Sequence, residues 1–390
     1  MKKIVIIGGG ASGLACALTL NELKKLYQMD LSITILEANE KLGKKILASG
    51  NGRCNLSNTN ISANYYHHKD DFVLETILND FSVYDFFDHN GLWTRVEGEL
   101  YYPNSKQASS VVRFFEKHLD DVMIAYHTKA EHIDVQNRRV ITSQGIYLYD
   151  ELILACGSKA AAKLGGNDSG YRMLKELNHH ITDLKPALVQ LKSKQVEKYL
   201  KGCRLRGTFS LIREGKCIAK EKGELLFSDY GLSGIAIFQL SRFYEYGDEI
   251  EIDLFDDLSE NELNHRLKEL LSNNALDLEM ILPSQYGRFL SGKIHEINYS
   301  NTKEVVKLLK HYHFKIDGLN DFENAQIVRG GLRMSEVNDD LSSKLVDHLY
   351  ICGELLDIDG PCGGYNLHFA FSSGYKVAAN IIYKLMGGDQ

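Results

Sequence analysis

The stretch KIVIIGGGASGLACALTLNEL at residues 3–23 decides the fold. It begins with a continuous apolar run, Ile4–Ile7, of the kind that forms a buried parallel strand. Three glycines follow in the spacing G-x-G-x-x-G (Gly8, Gly10 and Gly13), and the residues after them have the apolar spacing of a helix. The stretch therefore predicts a strand, a tight turn and a helix that together bind the pyrophosphate of a dinucleotide.

Each glycine of this turn has a separate task. Gly8 permits the tight turn, Gly10 lets the backbone approach the pyrophosphate, and Gly13 lets the helix pack closely on the strand. The start of the helix offers free N–H groups and a partial positive charge to the phosphates. Ala11 and Ser12 lie in the same turn, so they belong to the predicted cofactor site.

A second strand, Ser32–Leu36, ends at Glu37, an acidic residue 24 positions after Gly13. An acid at this place accepts hydrogen bonds from a ribose diol and would repel a 2′-phosphate. The sequence therefore predicts an adenosine without a 2′-phosphate, bound by Glu37 and its neighbour Ala38.

FAD and NAD share this fingerprint, and segments further along the chain favour FAD. Residues 147–155 predict an apolar strand that ends in the small-residue turn Ala155-Cys156-Gly157. Residues 348–354 predict another strand, which ends in Gly353 and Glu354. This end resembles the second flavin motif of two-dinucleotide-domain flavoproteins, in which the acid binds a ribityl hydroxyl, with Glu354 in place of the more usual Asp.

A glycine-rich turn opens a helix in the segment GPCGGYNLHFAFSSG at residues 360–374. The predicted helix runs from about Asn366 to Leu385, and its first N–H groups would face the pyrimidine edge of a flavin and stabilise negative charge there. NAD enzymes have no need of this segment, so FAD is the predicted cofactor. The predicted contacts here are Gly363, Gly364, Tyr365 and Asn366.

The segment GKKILASGNGRCN at residues 43–55 combines glycines with positive charge just after the second strand. Its two lysines are expected near the pyrophosphate and the ribityl chain. The turn that follows them is expected to bring backbone N–H groups and an arginine beside the flavin ring. The residues predicted to contact the cofactor are Lys44, Lys45, Ser49, Gly50, Gly52, Arg53, Cys54 and Asn55.

With these motifs the chain resembles the bacterial BaiN-like (YhiN-like) FAD-binding oxidoreductases, a family that includes aminoacetone oxidase. The segments that carry the resemblance are IVIIGGGASGLACA, LEANEKLGKKILASGNGRCNLSN, YYPNSKQASSVV, LLFSDYGLSG, QIVRGGL and ICGELLDIDGPCGGYNLHFAFSSG. The resemblance implies an α/β fold, with a discontinuous Rossmann-like FAD-binding domain, an inserted β-rich domain and a small helical domain.

The implied boundaries follow from this layout. The FAD-binding domain comprises residues 1–187 and 339–390, the β-rich domain residues 188–256 and 322–338, and the helical domain residues 257–321. The residue pattern agrees independently: Pro186–Asp253 alternates as strands do, residues 258–309 have helical spacing, and Val328–Val337 returns to strand character. Ser259 and Glu262 predict a capping box at the start of the helical part.

Catalytic residues are unknown from the sequence, and three weak candidates stand out. Tyr102 could contact substrate or serve only in packing. Arg333 could bring a cation to the flavin edge or pair with Glu336. His368 could donate a proton, although it lies inside the predicted helix.

Thiol and metal chemistry are not expected. Cys54 and Cys362 form no C-x-x-C or C-x₄-C pair, which favours small buried thiols over a redox disulfide. No pattern of metal ligands stands out, so no metal is predicted.

Composition limits the partners. The chain has 390 residues, which predicts two or three domains, and a net charge of −7, which argues against a nucleic-acid partner despite the locally basic residues 192–206. Seven scattered cysteines and short apolar runs predict a cytoplasmic protein without a membrane partner. The oligomeric state is left open, and a small-molecule substrate is expected.

Three functions remain open. The first is an FAD-dependent oxidoreductase that transfers hydride through flavin N5 to a small organic acceptor such as an enone, with NAD(P)H as donor. The chain has no second G-x-G-x-x-G after a strand, so a nicotinamide would bind without a Rossmann domain of its own. The second is an amine oxidase that reduces O₂ to H₂O₂. The third is a non-catalytic FAD-binding protein, such as a subunit for RNA modification or sensing.

Overall fold

The structure is a computed structural model that describes residues 1–67, 74–273, 276–295 and 301–387. The chain forms two compact units. The first comprises Met1–Lys185 and Ile327–Gln390, and the second comprises Pro186–Gln326. Each unit buries an apolar core of its own. The second unit is therefore an insertion in the chain of the first.

The helices and strands are numbered in chain order. The helices are α1 (Ala11–Leu26), α2 (Lys44–Ala48), α3 (Leu74–Asn79), α4 (Ala108–His118), α5 (Ser169–Glu176), α6 (Ile235–Ser241), α7 (Glu260–Ser272), α8 (Leu278–Ile281), α9 (Ser284–His295), α10 (Thr302–Lys310) and α11 (Tyr365–Leu385). The strands up to residue 187 are β1 (Lys2–Ile7), β2 (Leu31–Leu36), β3 (Ser57–Asn58), β4 (Thr94–Glu97), β5 (Leu100–Pro103), β6 (Val122–Ala125), β7 (Ala130–Asp134), β8 (Arg139–Thr142), β9 (Gly145–Leu148), β10 (Glu151–Leu154) and β11 (Lys185–Ala187). The later strands are β12 (Leu191–Lys192), β13 (Arg204–Arg213), β14 (Lys216–Ser228), β15 (Gly231–Ser233), β16 (Glu249–Asp253), β17 (Tyr312–Lys315), β18 (Gly318–Leu319), β19 (Ile327–Arg329) and β20 (Leu349–Ile351).

A parallel sheet in the order β20-β10-β1-β2-β6 forms the centre of the first unit. Its central strands β1, β2 and β10 are mostly apolar, because most of their residues are buried on both faces. Ile4 pairs with Ile33 on one side and with Glu151 on the other. Since the strands are parallel, the segments that follow β1, β2, β10 and β20 all lie at the carboxyl edge of the sheet. This edge gathers the predicted cofactor motifs.

Helices α1 and α11 pack closely against each other beside this edge. A Cβ atom added to Gly374 of α11 would lie 2.2 Å from the carbonyl oxygen of Ser12, so only glycine permits the observed approach. The first unit also contains two smaller antiparallel sheets, with strand orders β3-β5-β4 and β7-β8-β9.

Two predicted strands of the first unit are wrong in extent. The predicted strand 147–155 is two strands, because residues 145–148 pair with β8 in an antiparallel sheet and residues 151–154 are buried in the parallel sheet. The predicted strand Val328–Val337 is limited to β19, because Gly330 has a φ of +97° and the chain continues as a loop with a 3₁₀ turn at Met334–Glu336.

The second unit contains a seven-stranded antiparallel sheet in the order β17-β16-β13-β14-β15-β12-β18. Helices α7, α9 and α10 share one apolar core with this sheet, to which Leu211, Phe314, Leu263 and Tyr286 contribute. The segment predicted as a separate helical domain thus lies within the compact unit that holds the β-rich segment. Residues 327–338, expected in the inserted domain, belong to the first unit. The predicted capping box of Ser259 and Glu262 is present at α7.

None of the helices in the described part of the chain combines the length and apolar character that crossing a membrane requires.

Candidate cofactor site and active site

The three glycines of the first turn have different surroundings. Gly8 has a φ of +110°, and a Cβ on it would lie 2.4 Å from the carbonyl oxygen of Ala155. A Cβ on Gly13 would lie 2.0 Å from the carbonyl oxygen of Gly8. Around Gly10, in contrast, no heavy atom lies within 4 Å of the Cβ position. Gly8 and Gly13 thus permit packing, and Gly10 faces open space that a ligand can use.

The N-terminus of α1 opens onto the same space. Its N-cap residue is Gly10, no side chain caps the helix, and the first turn contains no acidic residue. Free N–H groups and the positive end of a 16-residue helix dipole are therefore available to an anion. Ala11 and Ser12 lie in this first turn, as predicted. The turn fits a pyrophosphate.

The Glu37 carboxylate is buried and held in a fixed orientation. Its Oε2 accepts a hydrogen bond from the Gly9 N–H at 2.8 Å, and its Oε1 accepts from the Asn39 backbone and side-chain nitrogens at 2.8 and 2.6 Å. A carboxylate offers about four acceptor positions, so a ribose hydroxyl can still be bound. Ala38 follows directly. The predicted ribose site is therefore compatible with the structure, and Asn39 is an orienting residue that the sequence analysis missed.

The two lysines of α2 point to different partners. Lys45 Nζ lies 2.9 Å from Glu354 Oε2 and 3.5 Å from Ser158 Oγ, between the segments that follow β20 and β10. Lys44 Nζ lies 3.5 Å from Glu40 Oε1 and 3.3 Å from Asn39 Oδ1. Lys45 is thus joined to a predicted ribityl ligand, whereas Lys44 lies near the predicted ribose site.

The segment after β10 leaves open space at Gly157, whereas the segment after β20 packs closely on α1 at Gly353. Gly157 has a φ of +65° and no atom within 4 Å of its Cβ position, whereas a Cβ on Gly353 would lie 2.4 Å from Ser12 Oγ. Ala155 packs under Gly8. The Cys156 thiol lies 3.5 Å from the carbonyl oxygen of Ile7, and burial raises its pKa to about 12. Cys156 therefore remains a protonated packing residue.

The glycine-rich loop after α2 has an unusual backbone. Gly50, Asn51, Gly52 and Cys54 have φ values of +57°, +55°, +80° and +58°. For the two residues that are not glycine, this left-handed conformation costs roughly 1 kcal/mol or more each. Such strain persists only where the surrounding structure imposes it. The loop is therefore built for a particular backbone path.

Side chains of this loop have separate roles. Burial raises the pKa of the Cys54 thiol to about 11, so it stays protonated and unreactive at neutral pH. Ser49 Oγ donates to the Ile46 carbonyl oxygen at 2.7 Å and closes the end of α2. The exposed Arg53 guanidinium lies 5.2 Å from the ring centroid of the buried Tyr102. Tyr102 thus supports Arg53 through a cation–π contact.

Asn55 joins the loop to the turn before α11. With its amide oriented to satisfy all its neighbours, its oxygen accepts from the Gly364 N–H at 3.1 Å and its nitrogen donates to the carbonyl oxygens of Ser57 and Tyr101 at 2.8 and 3.2 Å. Nearby, Asn58 Nδ2 donates to the Gly363 carbonyl oxygen at 3.0 Å. Two glycine-rich segments from opposite ends of the chain therefore meet.

The turn before α11 is also closed on itself. Asn366 accepts from the Gly360 N–H and donates to the Gly360 carbonyl oxygen, both at 2.8 Å, and it lies 3.2 Å from the Pro361 carbonyl oxygen. Gly363 and Gly364 have φ values of +107° and +94°. Tyr365 begins the helix, and burial raises the pKa of its hydroxyl to about 12. The helix begins one residue before the predicted start.

His368 is a buried structural residue. Its Nε2 lies 3.1 Å from the Leu78 carbonyl oxygen and its Nδ1 lies 2.8 Å from Ser57 Oγ. Since a carbonyl oxygen can only accept, Nε2 carries the hydrogen and Nδ1 accepts from the serine hydroxyl. Burial lowers the pKa of the imidazole to about 4. Both ring nitrogens are engaged, which leaves His368 unsuited to donate a proton to a substrate.

Arg333 is exposed and does not pair with Glu336 in the described structure. The Glu336 carboxylate instead lies 2.7 Å from His179 Nδ1 and accepts from the His180 N–H at 2.9 Å. The expected alternative of an Arg333–Glu336 ion pair is therefore wrong. No hydrogen bond or ion pair within the described residues joins the Arg333 side chain to the loop or turn described above.

The structure reveals a histidine–carboxylate pair that the sequence analysis did not consider. His67 and Asp359 form a backbone bridge, and His67 Nδ1 lies 3.4 Å from Asp359 Oδ1. Asp359 stands immediately before the glycine-rich turn, inside the most distinctive C-terminal segment, and this position was the one available signal. Within the described ranges, no group of three or more His, Cys, Asp or Glu residues could hold a metal ion.

Comparisons with known proteins place the chain in a family. It matches the HI0933-like protein Rossmann domain over residues 2–380. It is 35% identical over 408 residues to the 3-dehydro-bile acid delta(4,6)-reductase of Clostridium scindens, covering 96% of this chain and 98% of that protein. It is 26% identical over 403 residues to a ribosomal RNA dihydrouridine synthase of Haemophilus influenzae, covering 97% and 98%.

A solved structure confirms the fold class. The 3-ketosteroid delta1-dehydrogenase from Sterolibacterium denitrificans, in complex with 1,4-androstadiene-3,17-dione, has a TM-score of 0.50 at 11% identity, covering 98% of this chain and 100% of that chain. The family resemblance inferred from the motifs is confirmed by the match over nearly the whole sequence. The chain belongs to the HI0933-like Rossmann family.

Proposed function

We propose that the protein is an FAD-dependent oxidoreductase that reduces a carbon–carbon double bond conjugated to a carbonyl group. One observation carries this proposal: the contact of Asn55 with Gly364 joins the glycine-rich loop to the start of α11. A dinucleotide site alone needs only the turn at Gly10 and the acid at Glu37. The joined loop and turn add a place for a flat ring beside a helix N-terminus.

The names of the two relatives described above support the substrate class. One is named a delta(4,6)-reductase of a 3-dehydro-bile acid, and the other a dihydrouridine synthase. A 3-ketone with double bonds at positions 4 and 6 is a conjugated ketone. Uracil likewise has a ring double bond conjugated to a carbonyl. In either compound, saturating the double bond next to the carbonyl requires a hydride at its remote carbon and a proton at the carbon that adjoins the carbonyl.

Each segment of the site has a defined role in this proposal. The Gly10 turn and the N-terminus of α1 bind the pyrophosphate, and Glu37 binds the ribose. Lys45 and Glu354 orient the ribityl chain, while the N-terminus of α11 stabilises negative charge at the pyrimidine edge of the ring. The bound flavin supplies hydride chemistry that none of these side chains can supply.

We propose NADH or NADPH as the electron donor. The sequence contains one complete strand, G-x-G-x-x-G and helix unit, which the predicted FAD occupies. The nicotinamide would therefore bind directly at the exposed face of the flavin. Donor and acceptor would then use the same face in turn.

A second candidate acceptor is a uridine in RNA. In the second unit, Lys194, Lys198, Arg206, Lys216 and Lys220 are exposed and have no ion-pair partner among the described residues. The exposed side chain of Tyr199 lies among them in sequence and could stack on a base. Positive charge and aromatic rings are what single-stranded RNA requires.

Three facts rank this candidate second. Other basic residues of the same stretch are neutralised, since Lys201 pairs with Asp229, Arg204 with Glu224 and Lys222 with Asp256. The chain as a whole carries a net charge of −7. The bile-acid reductase also shares more of the sequence than the RNA-modifying relative does.

Anaerobic rapid mixing tests the proposal. The purified protein should be yellow, NADH or NADPH should bleach it, and a 3-oxo-Δ4 steroid should restore the colour. Restoration by a uridine-containing ribosomal RNA fragment, but not by the steroid, would select the second candidate. Bleaching by small amines alone, followed by rapid reoxidation in air, would favour an amine oxidase. A colourless protein that cannot be reconstituted with FAD would overturn the proposal.

A further inference from the structure

His67 and Asp359 form a closely held pair in the first unit. The His67 N–H donates to the Asp359 carbonyl oxygen at 2.8 Å, and the Asp359 N–H donates to the His67 carbonyl oxygen at 3.2 Å. These backbone bonds fix both residues, and they bring His67 Nδ1 to 3.4 Å from Asp359 Oδ1. The Asp359 side chain is 1% exposed and that of His67 is 24% exposed. A buried carboxylate thus faces a partly open imidazole.

The pair lies beside the first turn of α11. Asp359 is followed by Gly360, whose N–H and carbonyl are both bound by the side chain of Asn366. His67 is preceded by Tyr66, whose hydroxyl donates to the Tyr365 carbonyl oxygen at 2.7 Å. Each member of the pair is thus next in the chain to a residue that is hydrogen-bonded to the turn before α11. This turn is where the proposed flavin ring would lie.

The orientation of the imidazole leaves one nitrogen available. Nδ1 of His67 is buried on the side of Asp359. Nε2 makes no hydrogen bond within the described residues and is not among their buried, unsatisfied polar atoms. The open side of the ring therefore carries Nε2. The Asp359 carboxylate lies on the Nδ1 side of the ring, and the paired backbone hydrogen bonds keep the two residues side by side.

We propose that His67 donates, from Nε2, the proton that completes reduction of the conjugated double bond. This inference rests on the proposed function. The hydride adds to the carbon remote from the carbonyl and the proton from His67 adds to the carbon next to it, so the double bond becomes a single bond with two new C–H bonds. Two electrons leave the reduced cofactor, the carbonyl is unchanged, and water reprotonates the neutral imidazole.

Other titratable groups near this turn are less suited to the role. His368 has both nitrogens engaged, and burial lowers its pKa to about 4. Burial raises the pKa of the Cys54 thiol to about 11 and that of the Tyr365 hydroxyl to about 12. Neither would release a proton readily at neutral pH. Asp359 is the carboxylate that faces His67, and it acts as a positioning residue.

The test compares His67→Gln and Asp359→Asn with the wild type and with His89→Gln, a control at an exposed histidine. Each FAD-loaded protein is reduced anaerobically and mixed with a 3-oxo-Δ4 steroid. We expect His67→Gln to slow reoxidation by the steroid about 100-fold or more, the usual contribution of a general acid. Asp359→Asn should give a smaller loss, and His89→Gln should match the wild type.

A binding measurement separates proton donation from folding or affinity. The oxidised proteins should bind the steroid with dissociation constants that differ by less than about threefold, since glutamine preserves the polar contact. In ¹⁵N-histidine spectra of the oxidised wild type, the His67 side-chain signal, identified by its loss in His67→Gln, should shift when the steroid is added. An unmoved signal, or a normal reoxidation rate in His67→Gln, would overturn the inference.

The same experiment distinguishes failure of the proposed function. If reduced wild type does not pass electrons to the steroid or to uridine-containing RNA, the reductase proposal fails and the role of His67 fails with it. If the wild type reacts and His67→Gln reacts equally well, only the role of His67 fails. Loss of steroid binding in parallel with the rate would assign His67 to binding instead.

Discussion

The three glycines of the first turn have different surroundings in the structure. Gly8 and Gly13 lie against backbone oxygens, whereas the Cβ position of Gly10 faces open space. Packing therefore explains two of the glycines, and ligand access explains the third. Methyl groups at these positions separate the two roles.

Gly8→Ala should destabilise the apoprotein, whereas Gly10→Ala should leave its stability unchanged. Gly10 has an extended backbone, with φ −85° and ψ −170°, that alanine adopts freely, so the apoprotein should keep its stability while flavin affinity falls about tenfold or more. Gly8→Ala places Cβ against Ala155 at φ +110°, which should cost about 2 kcal/mol or more of folding free energy. Thermal unfolding of apoprotein and flavin titration measure the two effects. Equal behaviour of both variants would contradict this account.

His368 should make the protein sensitive to mild acid. Its pKa is lowered to about 4 in the folded state by burial, against a reference value of 6.5. The folded state therefore binds fewer protons than the unfolded state between these values, and its stability falls as pH drops below 6.5. Between pH 8 and pH 5 this one group should remove about 2 kcal/mol.

The variant His368→Asn checks this pH dependence by denaturant unfolding across pH 5 to 8. Asparagine cannot be protonated, so the variant should be less stable than the wild type at pH 8 and lose less stability towards pH 5. The matched control is His265→Asn, at an exposed histidine that faces Glu269. Its free energy of unfolding should change with pH as that of the wild type does. If the free energy of unfolding of His368→Asn depended on pH as steeply as that of the wild type, other groups would set the acid sensitivity.

At the scale of elements, the local pattern predicted the sheet edge well. Ile4–Ile7 and Ser32–Leu36 were predicted as strands, and β1 and β2 extend them by only two residues and one residue. A continuous apolar run bounded by glycine or charge records burial on both faces directly. The capping box at Ser259 was similarly local and is present.

The sequence pattern did not predict the break near residue 149 that divides the predicted strand 147–155, because this break has no local signal. No glycine or proline separates Leu148 from Glu151, and the turn is set by partners elsewhere: the Asp150 carboxylate accepts from the Lys3 N–H at 2.7 Å, and the Tyr149 N–H donates to the Arg138 carbonyl oxygen. The His67–Asp359 pair escaped notice for the same reason. Its partners are far apart in sequence, and neither stands in a spacing that marks a function.

Lys45 should contribute to flavin retention because it joins α2 to the segment after β20. Replacing it by methionine keeps most of the side-chain length and removes the charge beside Glu354 and Ser158. We expect flavin affinity to fall about tenfold, equivalent to about 1.4 kcal/mol, since the change leaves Glu354 without its cationic partner beside the predicted ribityl chain. Fluorescence titration of apoprotein with FAD measures the change.

The matched control is Lys41→Met, at an exposed lysine that precedes α2. This control removes one positive charge, as Lys45→Met does, and should leave flavin affinity within about twofold of the wild type. An equal loss in both variants would indicate a general electrostatic effect instead of a contact by Lys45.

At the scale of the molecule, the second unit is a continuous segment with its own core. Leu211, Phe314, Leu263 and Tyr286 belong to one buried cluster that draws on both its sheet and its helices. A continuous chain of this length with one core is large enough to fold alone. The segment 186–326 should therefore unfold cooperatively when produced by itself.

Circular dichroism and thermal melting of this fragment provide the measurement. A sigmoidal transition and near-ultraviolet signals from its buried aromatic residues are expected. Tyr286→Ala, which empties a fully buried position, should lower the midpoint sharply, whereas Tyr246→Ala at an exposed position should not. A fragment without a cooperative transition would show that the second unit depends on the first.

The insertion also sets an order of events during synthesis. The ribosome delivers β1, β2 and β10 first, then the whole of residues 186–326, and only afterwards β20 and α11. Until α11 emerges, Asn55 has no Gly364 to bind and the face of α1 that packs on α11 is uncovered. The nascent first half must therefore wait with an open apolar face, which gives chaperones a defined interval to act. Cofactor loading on this schedule follows the emergence of α11.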